Sequence, residues 1–231
     1  MPTLLIVGAG PRLGGAIARR FGAAGYDVAL LSDDEESVAA LGTALQDEGI
    51  TAGWAIADTH DDEAVRAAIG RFAAHTGGID VALHNVSVWR DASVLELTTE
   101  QVLDDVHAGA GSIFTIAQAV VPAMIAAGGG TILATGSAAA EAPSPGAPTL
   151  GVQKAALRAV IRALALELGP QGVHCATVTI NGVLGTPGFE PSAIADLYYE
   201  IAVEPRDAWR TVVPYNGGSA EEAVAGGDGT A

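Results

Sequence analysis

The stretch LLIVGAGPRLGG, residues 4–15, stands almost at the start of the chain. Its four leading apolar residues form a continuous run, the pattern of a strand covered on both faces. Glycines follow at once, and Arg12–Ala24 then carries a helical pattern that stops near Gly25. In a strand, glycine turn and helix of this kind, the main-chain N–H groups at the helix start can cradle a pyrophosphate. Glycine permits the tight turn and lets the backbone approach the ligand. Gly8, Gly10, Arg12, Leu13 and Gly14 are therefore candidate dinucleotide contacts. A glycine turn alone is a weak signal, and its place between strand and helix gives it weight.

Outward from this stretch, apolar runs of strand length alternate with helical patterns. The runs are Leu4–Val7, Val28–Leu31, Thr51–Ala57, Val81–His84, Thr131–Thr135, Cys175–Ile180 and Thr211–Pro214. Between them, Asp33–Gln46 follows a capping box of Ser32 with Glu35, and Asp61–Ala74 opens on acidic residues. A second capping box, Thr98 with Gln101, opens a helix running to about Ala126. Leu150–Leu168 stops at Gly169-Pro170, and a short helix covers Pro191–Ile201. Repeated strand–helix–strand units predict an α/β Rossmann-type doubly wound parallel sheet of about seven strands, with helices on both faces. Residues 1–218 read as one domain, and residues 219–231 as a small, polar, loose tail.

Composition narrows the function. Of 231 residues, 49% are apolar, and 27 acidic against 11 basic residues give a formal charge of −16. Such a surface repels nucleic acid and anionic membranes and leaves a small-molecule substrate as the expected partner. The single cysteine, Cys175, allows no intrachain disulfide or cysteine-built metal cluster, and a buried inert thiol is expected. No metal site is expected. With no leader-like or long uninterrupted apolar segment, the chain reads as cytoplasmic. Trp54, Trp89 and Trp209 are expected to pack.

The second strand ends in Ser32-Asp33-Asp34-Glu35. A carboxylate here, Asp33, accepts hydrogen bonds from adenine-ribose hydroxyls and repels a 2′-phosphate, which leans toward NAD over NADP. The same residues also suit a helix start. Arg12 pulls the other way, since a guanidinium can hold a 2′-phosphate.

Further motifs resemble the short-chain dehydrogenase/reductase family over roughly residues 3–187. The glycine turn is similar to T-G-x-x-x-G-x-G, with Val7 at the threonine and Arg12 at the middle glycine. Asp80–Ser87 resembles D-x-L-V-N-N-A-G and retains Asn85; Phe114–Met124 resembles the long central helix; Ala134-Thr135-Gly136-Ser137 resembles the strand end that carries the catalytic serine. Asn181-Gly182 followed by Thr186 is similar to P-G-x-x-x-T. The resemblance implies a nicotinamide cofactor, with Asp58 near adenine, Asn85 and Lys154 on the cofactor side, Thr186 on the carboxamide and Ser137 on the substrate. It also implies pairing of the long helices into a homodimer or homotetramer.

The Y-x-x-x-K motif departs from the pattern. Lys154 stands at the lysine, but Leu150 occupies the tyrosine and Gly109 the asparagine. Leucine has no proton to exchange. Tyr198, Tyr199 and His84 are the substitute donors the sequence offers. Three readings stay open: an oxidoreductase acting on a small carbonyl or alcohol with altered proton transfer; a non-redox isomerase, cyclase or dehydratase on the same fold; and a non-catalytic cofactor-binding protein.

Overall fold

The computed structural model describes residues 1–218; the expected tail at 219–231 lies outside the described residues. Seven parallel strands form one sheet: β1 Thr3–Val7, β2 Asp27–Ser32, β3 Ala52–Ile56, β4 Val81–His84, β5 Gly130–Ser137, β6 Val173–Ile180 and β7 Val212–Tyr215. Their order is β3-β2-β1-β4-β5-β6-β7. The order therefore reverses between β1 and β4, and a crevice opens there beyond the strand ends.

The helices are α1 Leu13–Ala23, α2 Glu35–Asp47, α3 Asp62–Thr76, α4 Thr99–Val106, α5 Ser112–Ala126, α6 Pro148–Leu168 and α7 Pro191–Ala202. Successive strand residues face opposite sides, and the two cores follow that alternation. Leu4 and Ile6 of β1 pack with α1, α2 and α7; Leu5 and Val7 pack with α3, α5 and α6. This is the doubly wound architecture expected from the continuous apolar runs.

Local details differ from the sequence expectations. Asp34, not Ser32, caps α2 by accepting the Ser37 N–H at 3.0 Å. The capping box of Thr98 and Gln101 forms as expected. The expected single helix to Ala126 is instead α4, a five-residue π turn at His107–Gly111, and α5. By length and composition the run Thr99–Ala126 could cross a bilayer, but 56% of its most apolar window is buried inside the fold. Its apolarity is that of a helix lying on a sheet. Cys175 is buried, and burial pushes its thiol up to about 12.

Candidate functional site

Two hollows meet at the switch point. The larger, about 510 Å³, runs from Gly10–Gly14 past Asn85 and Thr135 to Ser137, Leu150 and Lys154. The smaller, about 240 Å³, lies over the ends of β2 and β3 and is lined by Gly8, Asp33, Asp58 and His60. Asn85 and Ser87 border both.

The glycine turn is built for this place. Gly8 has φ +80°, and a Cβ there would stand 2.9 Å from the Asn85 main chain, so only glycine fits. A Cβ on Gly10 would meet no atom within 4 Å, although Gly10 lines the larger hollow. No packing contact requires glycine at position 10, and the open space beside its backbone suits an approaching ligand. Helix α1 begins at the same point without a side-chain cap. Its first N–H groups are suited to an anion. The lining suits a dinucleotide: the turn would hold a pyrophosphate, Asp33 and Asp58 would face an adenosine, and Ser137 and Lys154 a nicotinamide.

Arg12 does not reach toward the ribose side. Its guanidinium donates to the Leu184 carbonyl at 2.6 Å, straddling the mouth of the larger hollow. Leu13 and Gly14 are buried beneath. Asp58 accepts both the N–H of His60, at 2.9 Å, and its ring Nδ1, at 2.7 Å. These bonds hold its carboxyl below the usual range.

A hydrogen-bond chain ties the strand ends together. Tyr198 donates to Thr135 Oγ1 at 2.8 Å, Thr135 donates to Asn85 Oδ1 at 2.7 Å, and Asn85 Nδ2 donates to the Gly8 carbonyl at 2.9 Å. Asn85 thus fixes the glycine turn from β4. Ser137 accepts the Ala139 N–H at 3.2 Å, which leaves its own proton for a ligand in the cleft. Lys154 is only 2% exposed and donates to the carbonyls of Val86, at 2.8 Å, and Thr135, at 2.9 Å. Burial pushes its amine down to about 7. An ammonium has three protons, so one N–H remains beyond the two carbonyls.

The three substitute donors are not brought to the cleft. Tyr198 is fully buried in the core between α1 and α7, its proton committed to Thr135, and burial raises its pKa. Tyr199 sits against Phe21 and Tyr26 with the Arg20 guanidinium 3.8 Å from its ring centre. His84 is fully buried, and burial pushes it down to about 3. Ser112 donates to the Ala108 carbonyl at 2.7 Å, so at 2.9 Å it must accept a proton from His84 Nε2. Among the described residues, His84 Nδ1 has no hydrogen-bond partner.

Thr186 also departs from expectation. Its hydroxyl turns back to the Val183 carbonyl at 2.8 Å and does not line the cleft; Ile180, Gly182 and Leu184 do. Gly109 is buried in the π turn beside Gln153 of α6. Trp89, expected to pack, is 65% exposed and lines the cleft. Trp54 is 37% exposed, with its ring over Gly42. Trp209 does pack, stacked on His174 with ring centres 4.8 Å apart. Thr135 and Gln153 were not singled out from sequence. The only signal for Thr135 is its place two residues before Ser137 on one strand, and the only signal for Gln153 is the glycine it faces across two helices.

Comparison with known proteins places this geometry. The short chain dehydrogenase family model matches residues 2–193. The chain is 25% identical over 222 residues to the 3-oxoacyl-[acyl-carrier-protein] reductase FabG of Chlamydia muridarum, covering 96% of this chain and 86% of that protein. It is 32% identical over 165 residues to human dehydrogenase/reductase SDR family member 4, covering 70% of this chain and 59% of that protein. Among solved structures, a metagenomic short-chain oxidoreductase in complex with NADP superposes with a TM-score of 0.84 at 25% identity, covering 92% of this chain and 96% of that one. A strand-end crevice with this glycine turn, a match over most of the chain and a shared fold along nearly its whole length lead to one conclusion: the chain belongs to the short-chain dehydrogenase/reductase family of oxidoreductases.

Proposed function

We propose that this protein is a nicotinamide-dependent oxidoreductase acting on a small, largely apolar carbonyl compound or alcohol, and that it prefers NAD(H) to NADP(H). The observation that carries the reading is the adjoining pair of hollows, which share Asn85 and Ser87 and are lined from Asp33 and Asp58, past the glycine turn, to Ser137 and Lys154. When bound, the cofactor supplies or accepts a hydride.

The cofactor preference follows from charge. Among the described residues, the smaller hollow is lined by Asp33, Asp58 and His60 and by no lysine or arginine, and His60 is engaged with Asp58. A carboxylate accepts ribose hydroxyls and repels a 2′-phosphate. Arg12, the residue that argued for NADP in the sequence, is occupied with Leu184.

The chain's own residues act on the substrate as follows. Ser137 orients the substrate oxygen with its unspent hydroxyl proton. Leu150, one turn before Lys154 on α6, offers only apolar contact, as do Leu13, Ile180 and Leu184 around it. Of the described residues lining this hollow, only Arg12 and Lys154 carry a basic nitrogen, and an arginine stays charged. Lys154, with its amine lowered to about 7, is the group on that wall able to exchange a proton near neutral pH.

The decisive experiment is titration with NADH and NADPH followed by absorbance at 340 nm over a panel of aldehydes and ketones. NADH binding at least tenfold tighter than NADPH, with carbonyl-dependent loss of absorbance, is expected. Absence of binding to either nucleotide at millimolar concentration overturns the proposal. Binding without hydride loss transfers the site to a non-redox reaction.

A further inference from the structure

Beyond β4, the segment Asn85–Trp89 forms a wall of the cleft, and two consecutive residues of α6 hold its backbone. Lys154 donates to the Val86 carbonyl at 2.8 Å. Gln153, fully buried, meets Val88 twice: its Oε1 accepts the Val88 N–H at 3.1 Å and its Nε2 donates to the Val88 carbonyl at 3.1 Å. A primary amide that satisfies both polar groups of one residue does for Val88 what a neighbouring strand would do. Val88 lies between Ser87 and Trp89, and both of these line the cleft.

Gln153 has room for this only because of Gly109. A Cβ at position 109 would stand 2.1 Å from Gln153 Oε1, 2.7 Å from its Cδ and 2.8 Å from its Cγ. The π turn at His107–Gly111 brings the Gly109 backbone against α6. The carboxamide therefore fills the volume that a side chain at 109 would take, and each residue dictates the other. Trp89 has 65% of its surface exposed, so its position in the wall depends on the backbone beside it more than on packing.

We infer that Gln153 is a positioning residue: by pairing with Val88 it sets the Ser87–Trp89 wall against which the substrate is bound, and Gly109 is the other half of the device. The pairing itself stands on geometry; its kinetic consequence rests on the oxidoreductase reading above.

Gln153→Met keeps the side-chain length and removes both hydrogen bonds. Two measurements on the intact protein need no turnover. Amide exchange of Val88 is expected to accelerate roughly tenfold or more, the equivalent of one lost main-chain hydrogen bond. The emission of Trp89, isolated by difference from a Trp89→Phe counterpart, is expected to depolarise faster. A third measurement uses NADH with 2,3-butanedione: KM for the diketone should rise at least fivefold while KM for NADH stays within twofold. Gly109→Asn alone should destabilise, whereas Gly109→Asn with Gln153→Ala should recover stability, since the clash is removed, while Val88 exchange stays fast, since both hydrogen bonds are lost. Unchanged Val88 exchange and Trp89 depolarisation in Gln153→Met, or a well-tolerated Gly109→Asn, overturns the inference. If the diketone gives no NADH oxidation, the oxidoreductase reading has failed on this probe, and exchange and depolarisation still decide the pairing.

Discussion

Single residues in this site are assigned by what their hydrogen bonds leave over. Ser137 accepts one bond and keeps its proton, so Ser137→Ala is expected to lower kcat about 10²–10³-fold, near the roughly 2.7–4 kcal/mol of a lost oxyanion donor. Cofactor binding, read by NADH fluorescence, should stay within twofold. Lys154 is a buried amine whose pKa, pushed down to about 7 by burial, lies below the ordinary lysine value of 10.5. Between these two values the unfolded chain binds the proton that the folded chain has released, so stability rises with pH across that window. Urea unfolding should therefore show a higher midpoint at pH 9 than at pH 7, and Lys154→Met should flatten the rise. His84, the titratable residue facing Lys154, adds the same sign lower down. Its folded pKa of about 3 against 6.5 means stability falls as pH drops through that interval. Neither shift is legible in sequence. The letters H and K give no burial, and burial is the leading cause of both shifts.

At the scale of elements, the β1–α1 turn carries the most information. Gly8→Ala is expected to destabilise by about 1–3 kcal/mol, because alanine is strained at φ +80° and its methyl meets the Asn85 backbone at 2.9 Å. Thermal unfolding measures this, and Gly10→Ala, whose Cβ meets nothing, should leave stability nearly unchanged while weakening NADH binding. Arg12 links α1 to the loop before α7 through the Leu184 carbonyl. An exposed bond of this kind is weak, so Arg12→Ala should speed NADH association and dissociation by roughly two- to fivefold without a change in fold, as stopped-flow fluorescence would show. Strand and helix identities were readable because continuous apolar runs and capping residues are local signals. The π turn at His107–Gly111 was not, since its five residues, HAGAG, carry no local mark of a π turn, and the packing of Gly109 against Gln153 is a tertiary contact.

At the scale of the molecule, α4, α5 and α6 expose Leu103, Phe114, Val152 and Leu166, at 63%, 49%, 48% and 82%. We propose that exposed apolar residues of α4, α5 and α6 pair with a second copy of the chain. Light scattering should give at least twice the monomer mass, and Phe114→Asp with Val152→Asp should lower it; a monomeric parent protein removes the proposal. The charge of −16 should make association weaker at low salt, where like charges are poorly screened. What the sequence determined by itself was the order of strands and helices, the doubly wound sheet and the glycine turn, because each rests on neighbours along the chain. Only the tertiary structure decided which polar groups face the cleft. It took Tyr198, Tyr199, His84 and Thr186 away, brought in Thr135 and Trp89, and set the buried Gln153 behind the wall. The reason is physical: a side chain's chemistry depends on the proton or lone pair left free after folding, and the partners that use up the rest lie far along the chain, 77 residues away for Gly8 and Asn85 and 172 for Arg12 and Leu184.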